Sequence, residues 1–306
     1  MKDYYVSVII PNYCHAAYLD QRIQSVLNQT YRDFEMIILD DCSQDNGASR
    51  AIIEKYRNHP KVTHIVYNGK NSGSTFKQWE KGFQLAKGEY IWIAESDDFC
   101  DADLLEKLVQ QVAANDNVSI AYCRSQYVDS FGNFLEPIFP QNSKIEIFDG
   151  YKFIKEHLAY GNAIWNASSA IFKRMNALSV DPQYTSYLSA GDQMFWIELS
   201  ERGKVVYLHE PKNYFRQHQN KVTPAKQRSG VTSQEQYKII CYLERKKYLS
   251  FVESLYVRQS YMMDIEKMEL DTEEIRKKLL KLWKKFNFFS IRRVKLFTLI
   301  YQKFYK

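Results

Sequence analysis

Ile91-Trp92-Ile93-Ala94-Glu95-Ser96-Asp97-Asp98 is the stretch on which the reading of this chain turns, because an apolar run stops abruptly at three acidic residues within four positions. Such a run reads as a buried strand with an exposed end, and carboxylates crowded there repel one another unless a cation holds them together. Hard oxygen ligands suit Mg²⁺ or Mn²⁺, ions that keep several waters and bridge one or two protein carboxylates to a substrate's phosphates. The competing reading is an acidic turn that caps the next helix, with Asp101 as N-cap ahead of Ala102-Asp103-Leu104-Leu105.

Two further apolar runs end in the same way. Val6-Ser7-Val8-Ile9-Ile10 stops at Pro11-Asn12-Tyr13, and Phe34-Glu35-Met36-Ile37-Ile38-Leu39 stops at Asp40-Asp41-Cys42-Ser43. A helical spacing of apolar residues follows each, over residues 18–27 and over residues 48–57, the latter behind Asp45 as a candidate N-cap. A third unit runs from Val62-Thr63-His64-Ile65-Val66-Tyr67 through Asn71-Ser72-Gly73 into a helix that ends near Lys87-Gly88. Apolar strands alternating with helices pair in parallel through right-handed crossovers, so their ends gather along one sheet edge, where ligands of open α/β sheets bind. Residues 11–13, 40–43 and 95–98 are therefore expected to line one crevice.

These residues resemble a known family, the family 2 inverting glycosyltransferases with the GT-A fold. The resemblance rests on Ser7-Val8-Ile9-Ile10-Pro11-Asn12-Tyr13, Ser25-Val26-Leu27-Asn28-Gln29-Thr30-Tyr31 with Phe34-Glu35, Leu39-Asp40-Asp41-Cys42-Ser43-Gln44-Asp45, and Ala86-Lys87-Gly88-Glu89-Tyr90-Ile91 leading into the acidic residues. It covers about the first 125 residues, then resumes at Gly191-Asp192-Gln193-Met194-Phe195-Trp196 and at Tyr214-Phe215-Arg216-Gln217-His218-Gln219-Asn220. It implies an α/β, Rossmann-like fold for nucleotide-diphosphosugar transfer over residues 1–225, with residues 226–306 as a helical, basic-aromatic extension.

The resemblance also implies a site. Pro11, Asn12, Tyr13 and Asp41 would hold the base and ribose of a donor, the Tyr13 ring stacking on uracil and Asp41 accepting from the ring N–H. Ser72 and Gly73 belong to a loop near the donor. The Ala-Arg-Asn usual after that loop is replaced here by Phe76-Lys77-Gln78-Trp79, which leaves Lys77 to supply positive charge near the phosphates, unless it is a solvated helix lysine. A leaving diphosphate needs neutralising, so Mn²⁺ or Mg²⁺ is expected, with Asp98 as its protein ligand, Asp97 nearer the ribose or bridging through water, and His218 completing the metal shell. Glu95 stands where family members often carry Asp, and no direct role is assigned to it. Asp192 is the expected base that deprotonates the acceptor hydroxyl, with helix capping as its alternative role. The expected partners are a nucleotide-sugar donor, most simply a UDP-sugar, and a saccharide or lipid-linked acceptor in cell-surface polysaccharide or glycolipid synthesis. Two alternatives stand beside this. A degenerate member would bind nucleotide or glycan without turnover, and a sugar nucleotidyltransferase would need a Gly-rich basic loop after the first strand, which Pro11-Asn12-Tyr13-Cys14-His15 is not.

Composition agrees. The chain has 306 residues, 45% of them apolar and 25% charged, as in a water-soluble globular protein. No apolar run reaches the roughly 20 residues that span a bilayer, and Met1-Lys2-Asp3-Tyr4-Tyr5 leads straight into the first strand, so a cytoplasmic location is expected. Cys14, Cys42, Cys100, Cys123 and Cys241 are odd in number without a CxxC pair, which argues for free thiols. The net charge of +6 is concentrated late: after Glu274 no acidic residue follows, and Lys and Arg interleave with aromatics from Leu279 to the end. That pattern suits either a basic amphipathic helix on an anionic membrane, which would place the enzyme at the inner face of the plasma membrane, or a terminal helix whose apolar stripe packs on the catalytic domain while its charges face water. Nucleic acid is not an expected partner, since no recognisable fold or motif for it is present.

Overall fold

The computed structural model describes residues 5–218 and 222–284, which divide into two compact units. The first takes in residues 1–154, 162–187 and 191–220, and the second residues 155–161, 188–190 and 221–306.

The first unit is built on a nine-stranded sheet. Its strands are β1 (Val6–Asn12), β2 (Phe34–Asp40), β3 (Val62–Tyr67), β4 (Tyr90–Ile93), β5 (Phe99–Cys100), β6 (Val118–Val128), β7 (Ile145–Phe148), β8 (Ala170–Lys173) and β9 (Lys204–Arg216). They lie in the order β3-β2-β1-β4-β8-β6-β9-β5, with β7 paired to β9. The expected parallel half is present: β3, β2, β1 and β4 pair in parallel, and the helices Ala16–Leu27, Ala48–Glu54 and Thr75–Leu85 make the crossovers. Every residue of β1 and β2 is buried, which is why these strands read as continuous apolar runs rather than alternating ones. The second half is mixed, since β8 runs antiparallel to both β4 and β6 while β6 and β9 are parallel.

Polar groups inside this sheet are satisfied locally. Glu35 faces Ser7 in the β1–β2 register and is 2% exposed. It accepts from Ser7 Oγ at 2.7 Å, Thr63 Oγ1 at 2.7 Å and the Lys87 N–H at 2.8 Å, tying three strands to the turn at Lys87. A Cβ on Gly88 would lie 2.6 Å from the Ser7 nitrogen, so that turn tolerates only glycine. Burial alone would raise the Glu35 carboxyl, but the bonds from Ser7, Thr63 and Lys87 outweigh it and hold the group below its ordinary range.

Two expected helix caps differ from the structure. Asp101 does not cap the helix Leu104–Ala114; its carboxylate instead takes the Tyr214 hydroxyl at 2.8 Å and Lys212 at 3.2 Å, bracing β9. Asp45 does accept the Ser49 N–H, at 3.0 Å, but the N-cap backbone position is Gly47 at φ 80°, and the helix ends at Glu54 rather than at residue 57.

The second unit contains the helices Val222–Arg228, Val231–Arg245, Phe251–Lys267 and Glu273–Trp283. Ser250 and Glu253 form a reciprocal capping box at the third of these. Arg258, 4% exposed, pairs with Glu244 through Nε and Nη2 at 2.8 and 2.9 Å. Trp283 is fully buried, stacks on Tyr261 with centroids 4.5 Å apart and donates to Ser233 Oγ at 2.9 Å, with Leu279 1% exposed one turn earlier. The first residues of the tail thus pack within the second unit, on Tyr261 and Ser233, and residues 285–306, on which both readings of the tail bear, lie outside the described residues. No helix among the described residues is long and apolar enough to cross a membrane.

Candidate active site

The ends of β1 and β2 meet as expected. Asn12 and Asp40 are register partners, and Asn12 Nδ2 donates to Asp40 Oδ2 at 2.8 Å, while Ser43 closes the group by donating its hydroxyl to the same oxygen at 2.7 Å. Just beyond, Cys14 and Cys42 both take left-handed backbone angles, φ 57° and 62°, which turn the two strand ends sharply. Tyr13, just before Cys14, is 43% exposed, whereas Pro11 and Asn12 are buried in the strand end.

Asp41 sits differently from expectation. It is 5% exposed, and its oxygens accept from Asn68 Nδ2 (2.6 Å), Ser72 N (2.9 Å), Ser72 Oγ (2.6 Å) and Gln78 Nε2 (2.9 Å). The carboxylate thus orders the loop that carries Ser72 and Gly73, and a base N–H would have to displace one of these donors. Gly73 takes φ +72°, with its N–H on Asn71 Oδ1. Lys77 is exposed and reaches back to the Ser72 carbonyl at 3.2 Å.

The acidic residues divide by burial. Asp98 is wholly buried: Oδ2 accepts from Asn166 Nδ2 and Ser168 Oγ, both at 2.7 Å, Oδ1 accepts from the Arg216 N–H at 3.0 Å, and the Arg22 guanidinium lies 3.8 Å away. Burial first, then the charge of Asp97, push its carboxyl above the ordinary range, while Arg22 acts in the opposite sense. Glu95 is pushed up to about 8 by burial and by Asp97, against the hydrogen bond it receives from Trp79 Nε1 at 2.9 Å. Asp97 alone of the three turns to histidines. His218 Nε2 is 2.9 Å from Asp97 Oδ2, the His15 and His218 rings meet edge to face at 5.5 Å, and one ligand atom from each of His15, Asp97 and His218 falls within 4.8 Å of the others. A carboxylate with two imidazoles is a donor set for a divalent cation. The geometry thus offers Asp97 in place of Asp98 as the carboxylate facing a metal, because Asp98 spends its oxygens on buried donors.

Asp192 lies in the first turn of the helix Gly191–Ser200, not ahead of it, so it is not the N-cap. Its Oδ2 accepts from Asn162 Nδ2 at 2.7 Å and its Oδ1 from the Gln193 N–H at 2.8 Å, bonds that orient the carboxylate. Gly191 serves close packing rather than a turn: a Cβ there would lie 2.6 Å from the Phe76 ring and 2.7 Å from the Tyr184 carbonyl. The segment 162–166 connects the two ends of the site, Asn162 bonding Asp192 and Asn166 bonding Asp98.

Several of these residues escaped the sequence reading. Arg22 sits on the buried face of its helix with Leu19, Ile23 and Val26, and a charged residue at an apolar position was the available signal. Arg216 is 1% exposed and bonds the carbonyls of Asp97 and Ser130 and the Gln21 amide, with its guanidinium 4.6 Å above the Tyr18 ring. His15, Asn162, Asn166 and Ser168 carry no local signal, since each acts through partners at least thirty residues away.

Comparison with known proteins follows the same lines. The model of the family "Glycosyl transferase family 2" matches residues 7–175, more than half the chain. Poly(ribitol-phosphate) beta-N-acetylglucosaminyltransferase TarP of Staphylococcus aureus is 38% identical over 105 residues, which is 34% of this chain and 31% of that protein. The chain spans no more than 63% of the length of the first curated relatives it matches. Among solved structures, S. aureus TarS 1-349 in complex with UDP-GlcNAc superposes with a TM-score of 0.59 at 20% identity, over 90% of this chain and 70% of that one. The mannosyltransferase PcManGT from Pyrobaculum calidifontis, in complex with GDP-Man and Mn²⁺, gives 0.54 at 15% identity, over 98% and 85%. At these identities the two structures establish the fold, which is of the GT-A type.

Proposed function

The chain belongs to glycosyl transferase family 2, and on that premise we propose that it is an inverting, metal-dependent glycosyltransferase that moves a sugar from a nucleotide-diphosphate donor, uridine its base, to a saccharide or lipid-linked acceptor. The product would belong to a cell-surface polysaccharide or glycolipid. The observation that carries this reading is the convergence of His15, Asp97 and His218 at the sheet edge, with the segment 162–166 running from that edge to Asp192.

In this reading His15, Asp97 and His218 would hold Mn²⁺. When bound, that ion supplies Lewis-acid neutralisation of the leaving diphosphate. Tyr13 would stack on the base, the loop ordered by Asp41 would lie along the ribose, and Lys77, which bonds the Ser72 carbonyl, would supply positive charge toward the phosphates. Asp98, with Arg22, Asn166, Ser168 and Arg216, fixes the backbone from which Asp97 projects. Asp192 takes the proton from the acceptor hydroxyl, oriented by Asn162 and the Gln193 N–H. The names of TarP and of the UDP-GlcNAc complex of TarS support uridine and a surface polymer as the context. Residues 226–306 are the extension, and their basic-aromatic end is proposed to meet an anionic membrane surface from the cytoplasmic side.

Thermal melting of the chain with UDP, GDP and their sugars, with and without Mn²⁺, tests the reading. A ligand at 100 times its Kd stabilises the folded state by about 2.7 kcal/mol, so UDP with Mn²⁺ should raise Tm more than either alone. A Tm indifferent to every nucleotide overturns the reading.

A further inference from the structure

Trp165 is a large aromatic left 46% exposed in the segment whose neighbours bind the two ends of the site. Its indole lies nearly parallel to the Tyr127 ring, centroids 5.5 Å apart and planes 8° apart, and the Phe139 ring stands at 6.1 Å and 50°. The setting is held from beneath. Asn166 bonds Asp98, Asn162 bonds Asp192, and the buried Gln126 accepts the Phe139 N–H at 2.9 Å while donating to the Leu135 carbonyl at 2.8 Å. One indole face is therefore covered by an aromatic stack, and nearly half of the residue's surface stays open to water, a setting in which an aromatic ring can take a stacked ligand.

Sheet order says which substrate that is. Tyr13 and the Asp41 loop extend from β1 and β2, whereas Tyr127 belongs to β6, three strands beyond β1 on the other side of β4 and β8. Trp165 thus lies on the half of the sheet away from the loops assigned to the nucleotide, on the segment that also orients the base Asp192. We propose that Trp165, backed by Tyr127, is the stacking platform for a pyranose ring of the acceptor. A pyranose presents a flat set of C–H groups that fit an indole face, while a polyol phosphate presents none and calls for cations. Arg124, beside Phe139, has its guanidinium 4.8 Å over that ring and bonds the Tyr207 hydroxyl at 2.8 Å, so its charge is engaged within the protein. The group seated on this platform is accordingly a sugar ring. This inference rests on the glycosyltransferase reading above.

Saturation-transfer NMR on the full chain, with UDP or GDP and Mg²⁺ present, tests it. The probes are the methyl β-D-pyranosides of glucose, galactose, N-acetylglucosamine and N-acetylgalactosamine, with ribitol 5-phosphate as the contrasting acceptor chemistry. At least one pyranoside should receive saturation on its ring C–H groups. Trp165→Ala should cut that signal about tenfold, as truncating an aromatic anchor does, and Trp165→Phe should retain part of it, while the nucleotide's own signal is the same in all three proteins. A pyranoside signal unchanged in Trp165→Ala overturns the inference, as does a wild-type protein that takes nucleotide but no pyranoside, or that takes ribitol 5-phosphate instead. A wild-type protein with no nucleotide signal overturns the underlying reading, and the inference falls with it.

Discussion

Asp97 and Asp98 are adjacent in sequence and chemically identical, yet burial separates what they can do. Asp98 accepts from Asn166, Ser168 and the Arg216 N–H and faces Arg22, so its removal leaves several buried donors and a guanidinium without an acceptor. Asp98→Ala should therefore lower stability by about 3–5 kcal/mol, the range for breaking a buried charge pair, and urea denaturation would measure it. Asp97→Ala should leave stability nearly unchanged and remove Mn²⁺ binding in a titration calorimeter; Mn²⁺ affinity equal to wild type would dismiss the proposed ligand set. For Asp192, replacement by Asn keeps the size but not the basicity. Nucleotide binding should persist while kcat falls by about 10² to 10⁴. An undiminished kcat in Asp192→Asn would assign the base to another group.

Gly191 and Glu35 show how elements are locked around the site. The helix Gly191–Ser200 begins against Phe76 and the Tyr184 carbonyl, and backbone cannot yield to a methyl group at 2.7 Å. Gly191→Ala should cost about 1–3 kcal/mol from overpacking and should also weaken turnover, because Asp192 follows directly. Comparing its melting temperature with its kcat would separate the two effects. Glu35 links β1, β2, β3 and the Lys87 turn with a carboxyl held below its ordinary value of 4.5. A group whose pKa is lower in the folded than in the unfolded chain contributes stability above the unfolded value and loses it as pH falls through the folded one. Unfolding free energy should thus decline on acidification below about pH 4.5 more steeply in wild type than in Glu35→Gln, as paired urea titrations across that range would report.

At the scale of the whole molecule the C-terminal unit carries its own core. Trp283 donates to Ser233 and stacks on Tyr261, so Trp283→Ala should destabilise that unit by about 3–5 kcal/mol in a thermal melt. A chain ended at Lys284 keeps this core and removes only the basic-aromatic residues that follow. It should stay folded and lose salt-sensitive binding to anionic vesicles in a sedimentation assay; vesicle binding equal to that of the full chain would move the membrane contact elsewhere.

By itself the sequence determined the parallel half of the sheet, because β1, β2 and β4 are buried on both faces and such strands announce themselves as unbroken apolar runs. It also determined which segments meet at the sheet edge, since right-handed crossovers allow few other arrangements. The mixed half was not legible: β8 and β9 pair with strands far away in the chain, and nothing local states which. Burial within the acidic stretch was decided only by the tertiary structure, which encloses Asp98 with residues 166, 168 and 216 and leaves Asp97 facing His15 and His218. The helix cap expected of Asp101 failed for the same reason, as Lys212 and Tyr214 of β9 claim its carboxylate. Local pattern specifies what a residue can bond, and long-range packing selects the partner it does bond.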